Sequence, residues 1–136
     1  MTHRVVAPSG WPPPRGYANG VVASGHVVAL AGQVGWNPVT GAFESDDFVE
    51  QARQALDNIA VLLREAGAEP AHLVRLTWYI TDREAYLNGT RALGEAYRAA
   101  LGRTFPPMSV VVVAGLIEPQ ALVEIEATAV VPESDR

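Results

Sequence analysis

The types of reactive side chain in this 136-residue chain exclude several mechanisms. Without cysteine there is no thiolate nucleophile, no thiolate metal site and no disulfide framework. All ten cations are Arg, so Schiff-base catalysis through a lysine is excluded, including the usual pyridoxal phosphate attachment. His3, His26 and His72 lack ligand spacing and read as surface residues at a chain end, in turns or at strand starts, so no metal site follows. The G-x-S-x-G, P-loop, G-x-G-x-x-G and H-E-x-x-H signatures are absent. Among the fifteen Asp and Glu residues, a specific placement can be argued for those in Val123-Glu124-Ile125-Glu126-Ala127-Thr128-Ala129, Glu124 above all. This run alternates as a strand does, which puts Glu124 and Glu126 on one face. Such a carboxylate activates water as a general base, or pairs with a cation across an interface, and residue type leaves both readings open.

A second feature is Gly32-Gln33 followed by Gly35-Trp36 at the end of an apolar run. It reads either as a strand exit with Trp36 as a packing residue, or as a backbone that a ligand approaches closely with Trp36 as a wall. The net charge is −5 and the arginines are scattered, which opposes binding to a phosphate backbone.

The elements that must carry these residues follow from periodicity. Residues 1–16 read as irregular, because Trp11-Pro12-Pro13-Pro14 and Gly16 fit neither central sheet nor helix. Strands are expected over Val21–Ala23 and Val27–Val34 around a Ser24-Gly25 turn, with a further turn at Asn37–Gly41. A helix runs from about Asp47 to Ala66, with Ser45 and Asp46 as candidate caps and Gly67 as the stop. Ala52, Leu56, Ile59 and Leu63 form its buried stripe. Leu73–Ile80 alternates as a strand. A second helix starts at a Thr81/Glu84 capping box, buries Tyr86, Leu93, Tyr97 and Leu101, and ends at Gly102. Strands Met108–Ala114 and Leu122–Val131 follow. The expectation is one α+β domain of order β-β-α-β-α-β-β, a single mixed sheet with both helices on one face.

Two helices cover one side of a sheet. Val27–Ala31 and Val110–Val113 are apolar at every position, as strands buried on both faces are. No other element is long enough to cover the second face, and an open apolar face exceeds what soluble monomers usually expose. Other copies of the chain are the simplest cover, a closed barrel being the rival. Glu124 and Glu126 then lie near an interface, where they need water, Arg partners or a ligand. No segment is long and apolar enough to span a membrane, and the N-terminus lacks the order of a signal peptide. A cytoplasmic setting is the expectation.

From Tyr17 almost to Pro132 the chain resembles the RidA/YjgF family. The matching pieces are Tyr17, Gly32-Gln33 with Asn37-Pro38 and Thr40-Gly41, Gln51-Ala-Arg-Gln-Ala-Leu-Asp-Asn58, Ala66-Gly67 and Val123–Ala129. The resemblance implies a chorismate-mutase-like fold over 17–132, with 133–136 as a tail. It also implies a homotrimer with small-molecule clefts between subunits, no cofactor or metal, and hydrolysis of reactive enamines and imines to a keto acid and ammonia. In the family an arginine in Pro-x-Arg-Ser holds the substrate carboxylate; here the segment is Pro106-Pro107-Met108-Ser109, followed by Val110. The Ser of the usual Ser-Gly-Gln is Ala31, and the usual helix Asn falls on Thr90. Tyr17 and Glu124 are kept, the latter associated with the hydrolytic water.

Methionine cannot donate the bidentate hydrogen bonds that a carboxylate accepts. Ala31, Gly32, Gln33, Trp36, Thr90, Met108, Ser109 and Val110 therefore outline a more apolar pocket, suited to a neutral or aromatic small molecule, with Arg91 as a candidate replacement cation. Three functions compete: a RidA-like hydrolase of altered specificity using Glu124 and Tyr17, a non-catalytic binding trimer, and an endoribonuclease. The acidic balance opposes the last.

Overall fold

The computed structural model describes residues 3–133. Strands β1 (Arg4–Val6) and β2 (Gly20–Val22) pair with each other as a separate antiparallel ribbon. The main sheet is built from β3 (His26–Val34), β4 (Leu73–Ile80), β5 (Met108–Val112) and β6 (Val123–Val131), in spatial order β3-β6-β4-β5. It is mixed: β6 runs antiparallel to β3 and β4, and β4 parallel to β5. Helices α1 (Phe48–Glu65), α2 (Arg83–Asn88) and α3 (Thr90–Leu101) complete the fold. None of them, among the described residues, is long and apolar enough to cross a membrane.

The helix stripe is confirmed, since Ala52, Leu56, Ile59 and Leu63 are all at most 1% exposed. They pack on one sheet face with Leu76, Trp78, Ile80, Val123 and Ile125. The other face stays uncovered by this chain, leaving Val27 69% and Val111 40% exposed.

Several expectations need correction. Residues 1–16 are not wholly irregular, because Arg4–Val6 is a strand, and the sheet is not single. The first cap is Asp47, whose carboxylate accepts from the Glu50 N–H at 3.0 Å; Ser45 instead accepts from the Asp47 N–H. The second cap is Asp82, which accepts from the Glu84 and Ala85 N–H groups. Thr81 is diverted to the Leu122 carbonyl across the sheet end. The expected second helix is interrupted at Gly89, where a Cβ would stand 3.1 Å from Val49 of α1. His3 and His72 are buried, not superficial: a ring nitrogen of His3 bonds the His72 carbonyl, and His72 Nδ1 accepts from the Glu69 N–H.

One buried amide ties the layers together. Gln51, 1% exposed, donates to the carbonyls of Ser45 and Gln120, and its Oε1 accepts the Leu122 N–H at 2.8 Å. Gly35, just after β3, passes so close that a Cβ there would be 2.6 Å from that of Gln51. Replacing Gln51 with the similarly sized Met strands a backbone N–H and two carbonyls. At about 1–3 kcal/mol per stranded buried group, Gln51→Met is expected to lower stability by about 3 kcal/mol or more in urea unfolding at fixed chain concentration. Arg64→Met on the exposed face of the same helix should stay within about 0.5 kcal/mol.

Candidate functional site

Two cavities gather most of the chemically interesting residues, one on each side of the sheet. The first, of about 360 Å³, lies between the sheet and the α2–α3 pair. Trp78 and Met108 border it from the sheet, Tyr86, Thr90, Gly94, Tyr97 and Arg98 from the helices, and Phe105 from the segment before β5. Arg15 and Gly16 close it from the N-terminal segment. That segment is held in place by Ala18, whose N–H donates to the Pro106 carbonyl at 3.3 Å and which bridges to Pro107. The aromatic walls brace each other: Trp78 meets Tyr86 edge-on at 6.3 Å, and Tyr97 stacks on Phe105 at 5.2 Å. The Tyr97 hydroxyl donates to the Thr104 carbonyl, and burial pushes the phenols of Tyr97 and Tyr86 up from their ordinary value. The indole N–H of Trp78, buried in this wall, has no hydrogen-bond partner among the described residues.

The second cavity, about 340 Å³, opens on the uncovered face and is bordered by Tyr79, Leu116, Ile117, Glu124 and Glu126 among others. The Tyr79 hydroxyl donates to Glu126 Oε1 at 2.6 Å. This bond to a carboxylate, ahead of desolvation, raises the Tyr79 pKa. Glu124 is half-buried and its carboxylate makes no hydrogen bond among the described residues. Gly32 makes room for it: a Cβ at position 32 would lie 2.1 Å from Glu124 Oε2.

The register explains why Met108 and Glu124 are apart. Met108 stands opposite Leu76, and Leu76 opposite Ala127, on the helix-covered face, whereas Glu124 stands opposite Tyr79, and Tyr79 opposite Val111, on the uncovered one. The structure thus brings Thr90 and Met108 together, with Val110 nearby opposite Trp78. It groups Glu124 with Gly32 on the other face, where Ser109 is exposed opposite Thr77. Tyr17 is 41% exposed, next to the Gly16 that borders the first cavity. Ala31 is exposed, and its carbonyl accepts from the Gln33 amide. Trp36 borders neither cavity; its carbonyl is held by Asn58 at 3.0 Å. Arg91 is exposed and also borders neither, while Arg15 and Arg98, which sequence reading passed over, border the first. A glycine four residues before an arginine on one helix face was the available sign of Arg98. Among the described residues no group of three or more His, Asp or Glu is placed to hold a metal.

The family model described as Endoribonuclease L-PSP matches residues 11–131. A RutC family protein of Pyrococcus abyssi is 31% identical over 95% of this chain and 98% of its own. The 2-iminobutanoate/2-iminopropanoate deaminase of Escherichia coli is 35% identical over 78% of this chain and 80% of its own. Among solved structures, the Rid protein YyfB of Yersinia pestis, described as of unknown function, superposes with a TM-score of 0.84. It is 34% identical, covering 96% of this chain and 100% of its own. E. coli TdcF with bound serine superposes at 0.65 with 30% identity, covering 95% and 92%.

The Tyr79–Glu126 bond has a pH signature. It needs the neutral phenol, and the folded pKa is raised, so its stabilisation is fully present below the usual tyrosine value of about 10 and is lost as pH rises through the raised value. In an ultraviolet titration Tyr79→Phe should remove one of the late-titrating phenols. It should also narrow the stability gap between neutral and alkaline pH, and an unchanged late phase would contradict this assignment.

Proposed function

This chain belongs to the Endoribonuclease L-PSP family, which includes the RidA/YjgF proteins, and from that premise we propose that it is a deaminase-like hydrolase of reactive enamines or imines with non-standard specificity. The observation that carries the reading is Glu124: a half-buried carboxylate with no hydrogen-bond partner among the described residues, seated over a glycine on an uncovered sheet face. In imine hydrolysis water adds to the C=N carbon, the carbinolamine nitrogen takes up a proton, and ammonia leaves as the carbonyl forms. A carboxylate that passes the water proton to the imine nitrogen, and then passes the carbinolamine hydroxyl proton to the departing amine, supplies both transfers. Neither metal nor cofactor enters the balance. Tyr17 is a second polar group for orienting the substrate.

The reading includes a homotrimer whose sites lie between subunits. Its support is geometric: Met108 and Glu124 stand on opposite faces of one sheet, so a cleft containing both takes them from different copies. The uncovered face, with Val27 and Val111 exposed, is the surface for such packing. At position 108 the family's carboxylate-binding arginine is absent, which is the reason for non-standard specificity. The same substitution is what favours a second reading, a binding protein without turnover. The net charge of −5 disfavours RNA as substrate.

Ammonia release from imines generated in place by an amino-acid oxidase tests the proposal. Glu124→Gln should lower kcat by about 100-fold or more. Gly32→Ala should act in the same direction, because its Cβ would displace the carboxylate. Native mass spectrometry should give three times the 14.5 kDa chain. Turnover unchanged in Glu124→Gln would reject the assignment. Thermal stabilisation by a metabolite without any ammonia release would favour the binding protein.

A further inference from the structure

The cavity beside Met108 is not the neutral pocket that the lost strand arginine suggests. Two guanidinium groups border it, Arg15 from the proline-rich segment and Arg98 from the third turn of α3. Neither makes an ion pair or a hydrogen bond among the described residues, where the arginine ion pair is Arg53 with Glu50. Glu95, the acid within α3, does not pair with Arg98. A guanidinium left without an acid beside an aromatic-walled cavity is a ready partner for an anion.

Arg98 has a built place. Gly94, one turn earlier on α3, lies under its head group: a Cβ at 94 would stand 3.1 Å from Nη1 and 3.9 Å from Cζ and Nη2. Glycine is unfavourable inside a helix relative to alanine, so it needs a local reason. Here the missing Cβ lets the arginine fold back along its helix, and both residues border the cavity. The remaining walls are apolar or aromatic, with Trp78, Tyr86, Tyr97 and Phe105 joined by Met108. A charged head group beside an apolar enclosure matches an amphiphilic anion with a carboxylate at one end and a bulky hydrophobic group at the other.

We infer that Arg98, with Arg15 as second donor, anchors the carboxylate of an organic acid with a large apolar or aromatic side chain. Met108 widens the apolar part of the cavity where a strand arginine would otherwise stand. The carboxylate anchor has moved from strand to helix. This deepens the proposed hydrolase, naming its substrates as imines of bulky apolar amino acids, yet it stands on binding alone.

The test separates the two ideas. Binding of phenylpyruvate is compared with that of phenylacetone, its counterpart with a methyl group in place of the carboxylate, by calorimetry on the full chain. Phenylpyruvate should bind at least about 10-fold tighter, an advantage that falls with added salt. Arg98→Gln should erase most of that advantage while leaving phenylacetone binding unchanged, and Arg98→Lys should restore part of it. Arg98 is exposed, so folding of the variants is expected, and circular dichroism checks it. Equal affinity of both probes for the unmodified protein, or an advantage that survives in Arg98→Gln, would overturn the inference. Phenylpyruvate binding that depends on Arg98 in a protein releasing no ammonia would uphold the anchor and reject the hydrolase. Ammonia release without such binding would do the reverse.

Discussion

The buried amide of Gln51 is the interaction on which the geometry of this molecule turns. Its three hydrogen bonds join the start of α1 to the segment entering β6, and the Cβ-free Gly35 lets the end of β3 close against it. Those are the two strand ends that bring Gly32 under Glu124. A buried amide with every bond made fixes one arrangement, because any slip leaves polar groups dry and unpaired. Asn58, two turns along the same helix, repeats the device at lower stakes by holding the Trp36 carbonyl. Gln51 thus ties α1 to the segment entering the strand that carries Glu124, and Asn58 ties it to the segment leaving β3.

The second constraint is the one-sided cover of the sheet. The helices bury Ile125, Ala127 and Ala129 of β6, and the alternation of the strand places Glu124, Glu126 and Thr128 on the other side. That side is less uniformly apolar than Val27–Ala31 and Val110–Val113 suggest, since the Tyr79–Glu126 bond crosses it. A face that mixes exposed valines with an unpaired carboxylate fits an interface enclosing polar chemistry better than a dry one. The helix-side cavity differs in kind, with aromatic walls braced in pairs and cations at its border.

Much of this was legible in the residues. β4 appears where its alternation puts it, and α1 keeps its four-residue buried stripe. Both are decided by contacts between one face and one core, which periodicity reports directly. The failures share a cause, dependence on partners far along the chain. Thr81 looked like a helix cap, but its hydroxyl finds the Leu122 carbonyl 41 residues on. Gly89 breaks the second helix where it meets Val49. His3 and His72 looked superficial until the fold brought them together across 69 residues. Met108 and Glu124 fall on opposite faces of the sheet because strand register, which periodicity does not supply across a bulged sheet, sets their partners.

In the proposed hydrolase a working site takes its carboxylate from one subunit and its helix-side cavity from another. Co-expression of two inactive variants, Glu124→Gln and the cavity-filling Met108→Trp, examines this most directly, with ammonia release measured on the purified mixed trimers. Turnover well above that of either variant alone is expected, because some interfaces of the proposed trimer pair an intact carboxylate with an intact cavity. Mixed trimers no more active than the better parent would contradict it.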